Sequence, residues 1–260
     1  MFTDFEKNNV SYHIQGEGDI PVLFLHGWGC SGEIFAPIVN SLPKQYRPIL
    51  VDFPGHGRSA EPDGTLHVKD FADIILRLLD SVEQKKVHIV AHSFGARVAI
   101  WIASHYPEYV DRLVITGGAG IILPEKQKLS WKTKCYKLQK NILNVFQKLP
   151  FLHSVSVRLQ EKLIQKYGSA DYKALSPNMR ETFKAIVNED LSKYLPSITA
   201  PTLLIWGDKD TETPPTYAQI MNRQISDSAI IIFENDDHFA FLHQHQRFRA
   251  IIEHFFSEEA

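Results

Sequence analysis

Short apolar runs, most of them lacking polar alternation, constrain the fold of this chain more than any other feature. They lie at Val10 to Ile14, Val22 to Leu25, Ile49 to Val51, Val87 to Ala91, Leu113 to Thr116, Thr202 to Trp206 and Ile230 to Phe233. A strand with one face in water alternates apolar and polar residues, whereas a strand covered on both faces does not. Helical patterns separate several of the runs. In Val68 to Val82 the residues Phe71, Ile74, Ile75, Leu78, Leu79 and Val82 recur at helical spacing. Similar patterns follow Ser93 and surround Phe248, Ile251, Ile252 and Phe255. Strands alternating with helices predict an α/β fold, a mostly parallel sheet flanked by helices.

The alternation stops after Thr116 and resumes at Pro201, with helical patterns and no convincing strand between. This predicts an inserted all-helical cap over 120–190, with 1–119 and 191–260 forming the core domain. The charge divides at the same place: 120–190 holds 13 Lys plus Arg against 6 Asp plus Glu, a net of +7, and the rest 15 against 24, a net of −9. Within the insertion, Trp131, Cys135, Leu138, Ile142, Val145, Phe146 and Leu149 share one helical face, while Lys128, Lys132, Lys134, Lys137 and Lys140 fall mostly elsewhere. The expected role of such a helix is to roof the core and turn its lysines to water. A membrane-surface or acidic-partner role is the alternative.

Composition excludes several classes. The net charge of −2 is not that of a nucleic-acid-binding surface. No apolar run approaches the roughly 18 residues of a membrane span, and Met1 to Glu6 lack a basic segment followed by an apolar one, so no stable membrane insertion and a cytoplasmic location are expected. Cys30 and Cys135 have no neighbour at metal-ligand spacing, which predicts reduced thiols, no metal and no disulfide framework. Nothing in the sequence indicates an oligomeric state.

Three strand ends carry the residues of interest. After Val87 to Ala91 comes Ala91-His92-Ser93-Phe94-Gly95-Ala96, followed by a helical pattern. A serine on a sharp strand-to-helix turn needs small residues two before and two after it, and Ala91 and Gly95 meet that need. Taken alone, the pattern fits a structural turn equally well. A serine hydroxyl also needs a base, itself oriented by a carboxylate. The next two strand ends supply candidates, in Gly207-Asp208-Lys209-Asp210-Thr211-Glu212-Thr213-Pro214 and in Asn235-Asp236-Asp237-His238-Phe239. Ligands of open α/β sheets bind at such carboxyl ends.

From about Val10 to its C-terminus, most loosely in the cap, the chain resembles the α/β-hydrolase superfamily. The order Ser93, Asp210, His238 is the order that fold uses. The resemblance implies Ser93 as nucleophile, His238 as general base and Asp210 as orienting acid. The family pattern Gly-x-x-Asp-x-x-x-Pro aligns Gly207, Asp210 and Pro214, which selects Asp210 and leaves Asp208 a loop residue. His243 and His245 do not stand just after the last strand, as His238 does. Leu25-His26-Gly27-Trp28-Gly29-Cys30-Ser31-Gly32 resembles the family's oxyanion loop, which implies the backbone N–H groups of Trp28 and Phe94 as the oxyanion hole. In Asp52 to Ser59 a structural role is expected, with Asp52 and Arg58 pairing locally and His26 and His56 fixing loops. Alanine rather than glycine at 91 and aspartate rather than glycine at 237 depart from the usual pattern. If Asp236 or Asp237 approached His238, its pKa would rise.

The resemblance implies hydrolysis of a carboxylic ester or related acyl bond of a small hydrophobic substrate through an acyl-enzyme, without a cofactor. Arg97, Arg158 and Arg180 suit a substrate carboxylate if they face the pocket, and on that condition a C–C bond hydrolase or cofactor-free lyase acting on an acidic ring compound is the second reading. A non-catalytic receptor that keeps the fold is the third, and a membrane-surface lipase using the lysine-rich helix the fourth.

Overall fold

The computed structural model describes residues 10–123, 158, 159, 162, 172, 173 and 175–257. Its strands are β1 (Tyr12–Ile14), β2 (Ile20–Leu25), β3 (Tyr46–Val51), β4 (Val87–His92), β5 (Val110–Thr116), β6 (Thr202–Gly207) and β7 (Ser228–Phe233). They form one sheet in the order β1-β3-β2-β4-β5-β6-β7. Only the β1–β3 pairing is antiparallel. Each apolar run read from the sequence is a strand, shifted by a few residues at its ends. The described helices are α1 (Ala36–Val39), α2 (Val68–Ser81), α3 (Phe94–His105), α4 (Pro177–Val187), α5 (Thr216–Gln224), α6 (Ala240–His243) and α7 (His245–Ser257).

The missing alternation now has its physical cause. Successive strand side chains point to opposite faces, and both faces are covered. Leu23, Leu25, Ile89, Ala91, Leu113 and Ile115 pack on one side with α2, α3 and α5. Val22, Phe24, Val90, Val114 and Ile205 pack on the other with α1 and α7. Fully burying one such side chain contributes roughly 1.5–3 kcal/mol. The last helix differs in one detail from its sequence reading, because Phe256, rather than Phe255, is buried with Phe248 and Ile252.

Between β5 and β6, α4 is the longest described element, begun by Ser176, whose hydroxyl accepts the Met179 N–H at 3.2 Å, and by Pro177. Thr182 of α4 accepts the Leu66 N–H at 3.1 Å, and Phe183 meets the Trp28 ring at 5.2 Å between centroids, so α4 sits on the core beside the loop after β2. Trp131 to Leu149, read as a basic amphipathic helix, lie outside the described residues. No helix among the described residues is long and apolar enough to cross a membrane.

Candidate active site

Ser93 joins β4 to α3 with φ 50° and ψ −111°, a conformation that costs a non-glycine residue on the order of 1–3 kcal/mol. The turn packs tightly against the end of β2. A Cβ at Gly95 would stand 2.2 Å from the Leu25 carbonyl oxygen, backbone that cannot step aside. Gly95→Ala is therefore expected to lower stability by about 1–3 kcal/mol, read as a fall in the urea midpoint at unchanged m-value.

The acid and the histidine meet at the carboxyl ends of β6 and β7. His238 Nδ1 lies 2.8 Å from Asp210 Oδ2, and both side chains are buried. Asp210 Oδ1 accepts the backbone N–H groups of Glu212 and Thr213, each at 2.9 Å. Burial opposes ionisation of Asp210, but the hydrogen bonds from His238 and Thr213 outweigh it and hold the carboxyl below its ordinary range. With Nδ1 directed at Asp210, Nε2 is the ring nitrogen left for a reacting group.

Ser93 and His238 flank the end of β5 together. The Ser93 N–H donates to the Thr116 carbonyl at 3.2 Å, and a Cβ at the next residue, Gly117, would stand 3.0 Å from His238 Nδ1. Among the described residues, none hydrogen-bonds the Ser93 hydroxyl, and that includes His238. A serine–histidine bond that closes only around substrate is ordinary for such pairs.

The loop after β2 approaches the same point. A Cβ at Gly27 would lie 3.2 Å from Ser93 Cβ, which places the Trp28 backbone beside the serine. Phe94 is the first residue of α3, where a helix leaves its N–H without an intrahelical acceptor. Among the described residues neither N–H has an acceptor. Both N–H groups thus belong to segments that adjoin Ser93.

A family model for the α/β hydrolase fold matches residues 20–244. The chain belongs to the α/β hydrolase fold family. A curated relative from Vibrio atlanticus, pimeloyl-[acyl-carrier protein] methyl ester esterase, is 26% identical over 251 residues, covering 91% of this chain and 93% of its own. The AB hydrolase superfamily protein YisY from Bacillus subtilis is 27% identical over 248 residues, covering 90% and 91%. Among solved structures, an esterase from Exiguobacterium antarcticum superposes with TM-score 0.75 at 21% identity over 99% of this chain and 98% of that one. At that identity the likeness shows the fold alone. As a member of this family the chain is a carboxylesterase-like hydrolase, as its sequence leads one to expect.

Other expectations divide. In this hydrolase His26 and His56 do fix loops: His26 Nε2 accepts the Phe53 N–H at 3.0 Å, and His56 Nδ1 donates to the Pro54 carbonyl at 3.0 Å. Asp52 binds the backbone N–H of Arg58 at 2.9 Å, whereas the Arg58 guanidinium pairs with Glu33 at 3.1 Å. Two of the three arginines considered for a substrate carboxylate have backbone partners. Arg97 is buried and donates to the Glu189 carbonyl at 2.7 Å, and Arg180 donates to the carbonyls of Tyr172 and Lys173. Arg158 is exposed.

The acidic pair beside His238 turns the other way. Asp236 accepts from His243 Nδ1 at 2.7 Å and from Gln244 at 2.8 Å, and Asp237 caps the Phe239 N–H at 2.8 Å. The local α6 turn brings His243 back over Asp236, so the carboxylate that sets the His238 ring is Asp210. Asp208 is a loop residue, as read, but one that links loops: it accepts the Asp236 N–H at 3.2 Å, and the Lys209 N–H donates to the Asp236 carbonyl at 2.8 Å. Sequence reasoning passed over these ties and over Thr213. Thr213 lies within the Gly-x-x-Asp-x-x-x-Pro stretch, which was the available signal.

Proposed function

We propose that this hydrolase cleaves carboxylic esters with Ser93 as nucleophile, His238 as general base and Asp210 as the acid that orients it. The observation that carries the reading is the buried 2.8 Å contact of His238 Nδ1 with Asp210 Oδ2 beside a serine held at φ 50°. In the reaction, Ser93 Oγ attacks the ester carbonyl carbon while its proton passes to His238 Nε2. The carbonyl oxygen becomes an oxyanion held by the N–H groups of Trp28 and Phe94, each such donor contributing roughly 2.7–4 kcal/mol. The tetrahedral intermediate expels the alcohol, which takes the proton from His238, and leaves an acyl-serine. A water molecule that gives its proton to His238 then attacks the acyl carbon, and the acid is released as the acyl–oxygen bond breaks and His238 returns the proton to Ser93 Oγ.

In this reading residues 120–190 are the cap that chooses the substrate and 1–119 with 191–260 are the catalytic core. The enzyme works in the cytoplasm. Relatives named for a methyl ester on an acyl-carrier protein make the methyl ester of a carrier-bound acyl chain the first substrate to test. The backbone partners of Arg97 and Arg180 make these two arginines structural donors and favour the ester over an acidic ring substrate.

The decisive experiment uses short-chain p-nitrophenyl esters. A burst of nitrophenol is expected, together with an acyl mass increment on the peptide carrying Ser93. Methyl esters of graded chain length, free and carrier-bound, then define the substrate. No turnover of any ester, with tight binding of a small molecule, would establish a receptor instead.

A further inference from the structure

The Thr213 hydroxyl stands at the junction of the acid and the histidine. Its Oγ1 lies 2.8 Å from the Gly117 carbonyl oxygen, 2.9 Å from Asp210 Oδ2 and 3.2 Å from His238 Nδ1, and the side chain is buried. The Gly117 oxygen and Oδ2 are both acceptors, and a hydroxyl carries one proton, so Thr213 donates to one of them at a time. When it donates to Gly117, Oγ1 turns a lone pair toward the His238 Nδ1–H. The two backbone N–H groups on Asp210 Oδ1 keep the carboxylate from rotating, so the direction of the Thr213 proton is the variable that remains.

Building on the triad assigned above, we infer that Thr213 is a positioning residue whose hydroxyl proton turns from Asp210 Oδ2 to the Gly117 carbonyl as His238 accepts the proton of Ser93. While His238 is neutral, the hydroxyl hydrogen-bonds the carboxylate and holds both partners in place. When Nε2 is protonated, the ring carries a full positive charge. Rotation about the Cβ–Oγ1 bond then removes a competing donor from Oδ2 and offers the Nδ1–H a second acceptor. No heavy atom moves and no proton leaves Thr213, so the turn is as fast as a side-chain rotation. The interaction with His238 is stronger in the charged state than in the resting one, which is what acceleration requires.

Among the described residues, Asp210 and His92, whose ring lies 4.7 Å away, are the titratable groups that face His238. Burial pushes His92 down to about 3, so it stays neutral through the working range and does not repel the imidazolium. Asp236 and Asp237 face His243.

The test compares Thr213→Val, Thr213→Ser and Ser93→Ala on a p-nitrophenyl ester between pH 5.5 and 9. For Thr213→Val, kcat is expected to fall about 10- to 100-fold with KM within about twofold, and Thr213→Ser to recover it to within about threefold. The acid limb of kcat/KM, which reports His238 in the free enzyme, is expected to move to lower pH in Thr213→Val, because the imidazolium has lost an acceptor. A limb that stays in place means a merely structural hydroxyl, and a limb that moves up means a permanent donor to Asp210; either overturns the inference. Should Thr213→Val not fold, Thr213→Cys keeps the volume, weakens the hydrogen bonds and is read the same way. Ser93→Ala separates the two levels. Retained activity there removes the triad and this inference with it, whereas lost activity with an unmoved limb removes the inference alone.

Discussion

Replacing Ser93 by alanine is expected to cut kcat for a short-chain ester on the order of 10⁴- to 10⁶-fold while leaving the fold intact. The hydroxyl supplies the attacking oxygen, and no other group at the β4–α3 turn can take its place. His238→Ala should fall into the same range, and the double variant should be little worse than either single one, because both act in one step. Asp210→Asn is expected to cost about 10⁴-fold, since an amide can donate to Nδ1 and select the wrong tautomer. Asp208→Asn should cost less than about tenfold, because Asp208 acts through the Asp236 N–H it accepts at 3.2 Å. Single-turnover kinetics on the five variants, with circular dichroism as the folding control, provide the check. A severe Asp208→Asn beside a neutral Asp210→Asn would reverse the assignment of the acid.

Mild acid should unfold this hydrolase, and the cause is a set of buried imidazoles. Burial lowers His26 and His88 to about 4 and His92 to about 3, from an ordinary 6.5. Each of the three residues is at most 4% exposed. A group whose folded pKa is depressed binds fewer protons folded than unfolded, so stability falls as pH drops from 6.5 toward the folded value. Each ring should lose about 2 kcal/mol between pH 7.5 and 5, and together they take away much of the roughly 5–15 kcal/mol that holds a domain. His88 shows why its nearby acid does not rescue it. Its Nδ1 is 3.3 Å from Asp111 Oδ2 yet outside hydrogen-bonding geometry, so the attraction is smaller than the cost of burial.

Two groups act differently. Asp210 is held low, so its contribution persists through this window and is lost only below the ordinary carboxylate range. His243 is raised by Asp236, so its contribution is present below 6.5 and lost as pH rises through its folded value; the ring is exposed, and solvent keeps the opposing effect small. Urea midpoints at pH 7.5, 6 and 5 test the sum, with a steep fall expected at constant m-value. His88→Phe should flatten the curve by one ring's share, because His88 stacks on Phe256 at 4.3 Å and 10°. Equal midpoints at pH 5 and 7.5 would contradict the account.

The strands and the Ser93 turn were legible because their causes are local. Leu23 and Phe24 are adjacent in sequence and both apolar because one faces α3 and the other α7, and a run of that kind announces a sheet covered on both sides. Gly95 is glycine because the Leu25 carbonyl presses on its Cα, and this too leaves a mark in the letters. Arg97 left no such mark. A cation one turn past the nucleophile reads equally as a ligand for substrate or as a structural donor, and only the position of the Glu189 carbonyl, contributed by a distant segment, settles which.

By itself the amino-acid sequence determined the layering of the sheet, the order of its chemical groups and the strand end on which each is carried, since periodicity and turn chemistry act over a few residues. Tertiary structure alone decided that Asp236 and Asp237 turn to His243, that Asp208 links two loops and that Thr213 sits between Asp210 and His238. Hydrogen bonds are short and directional, so which of several nearby acids or hydroxyls reaches a given imidazole depends on displacements of an ångström that no spacing along the chain records.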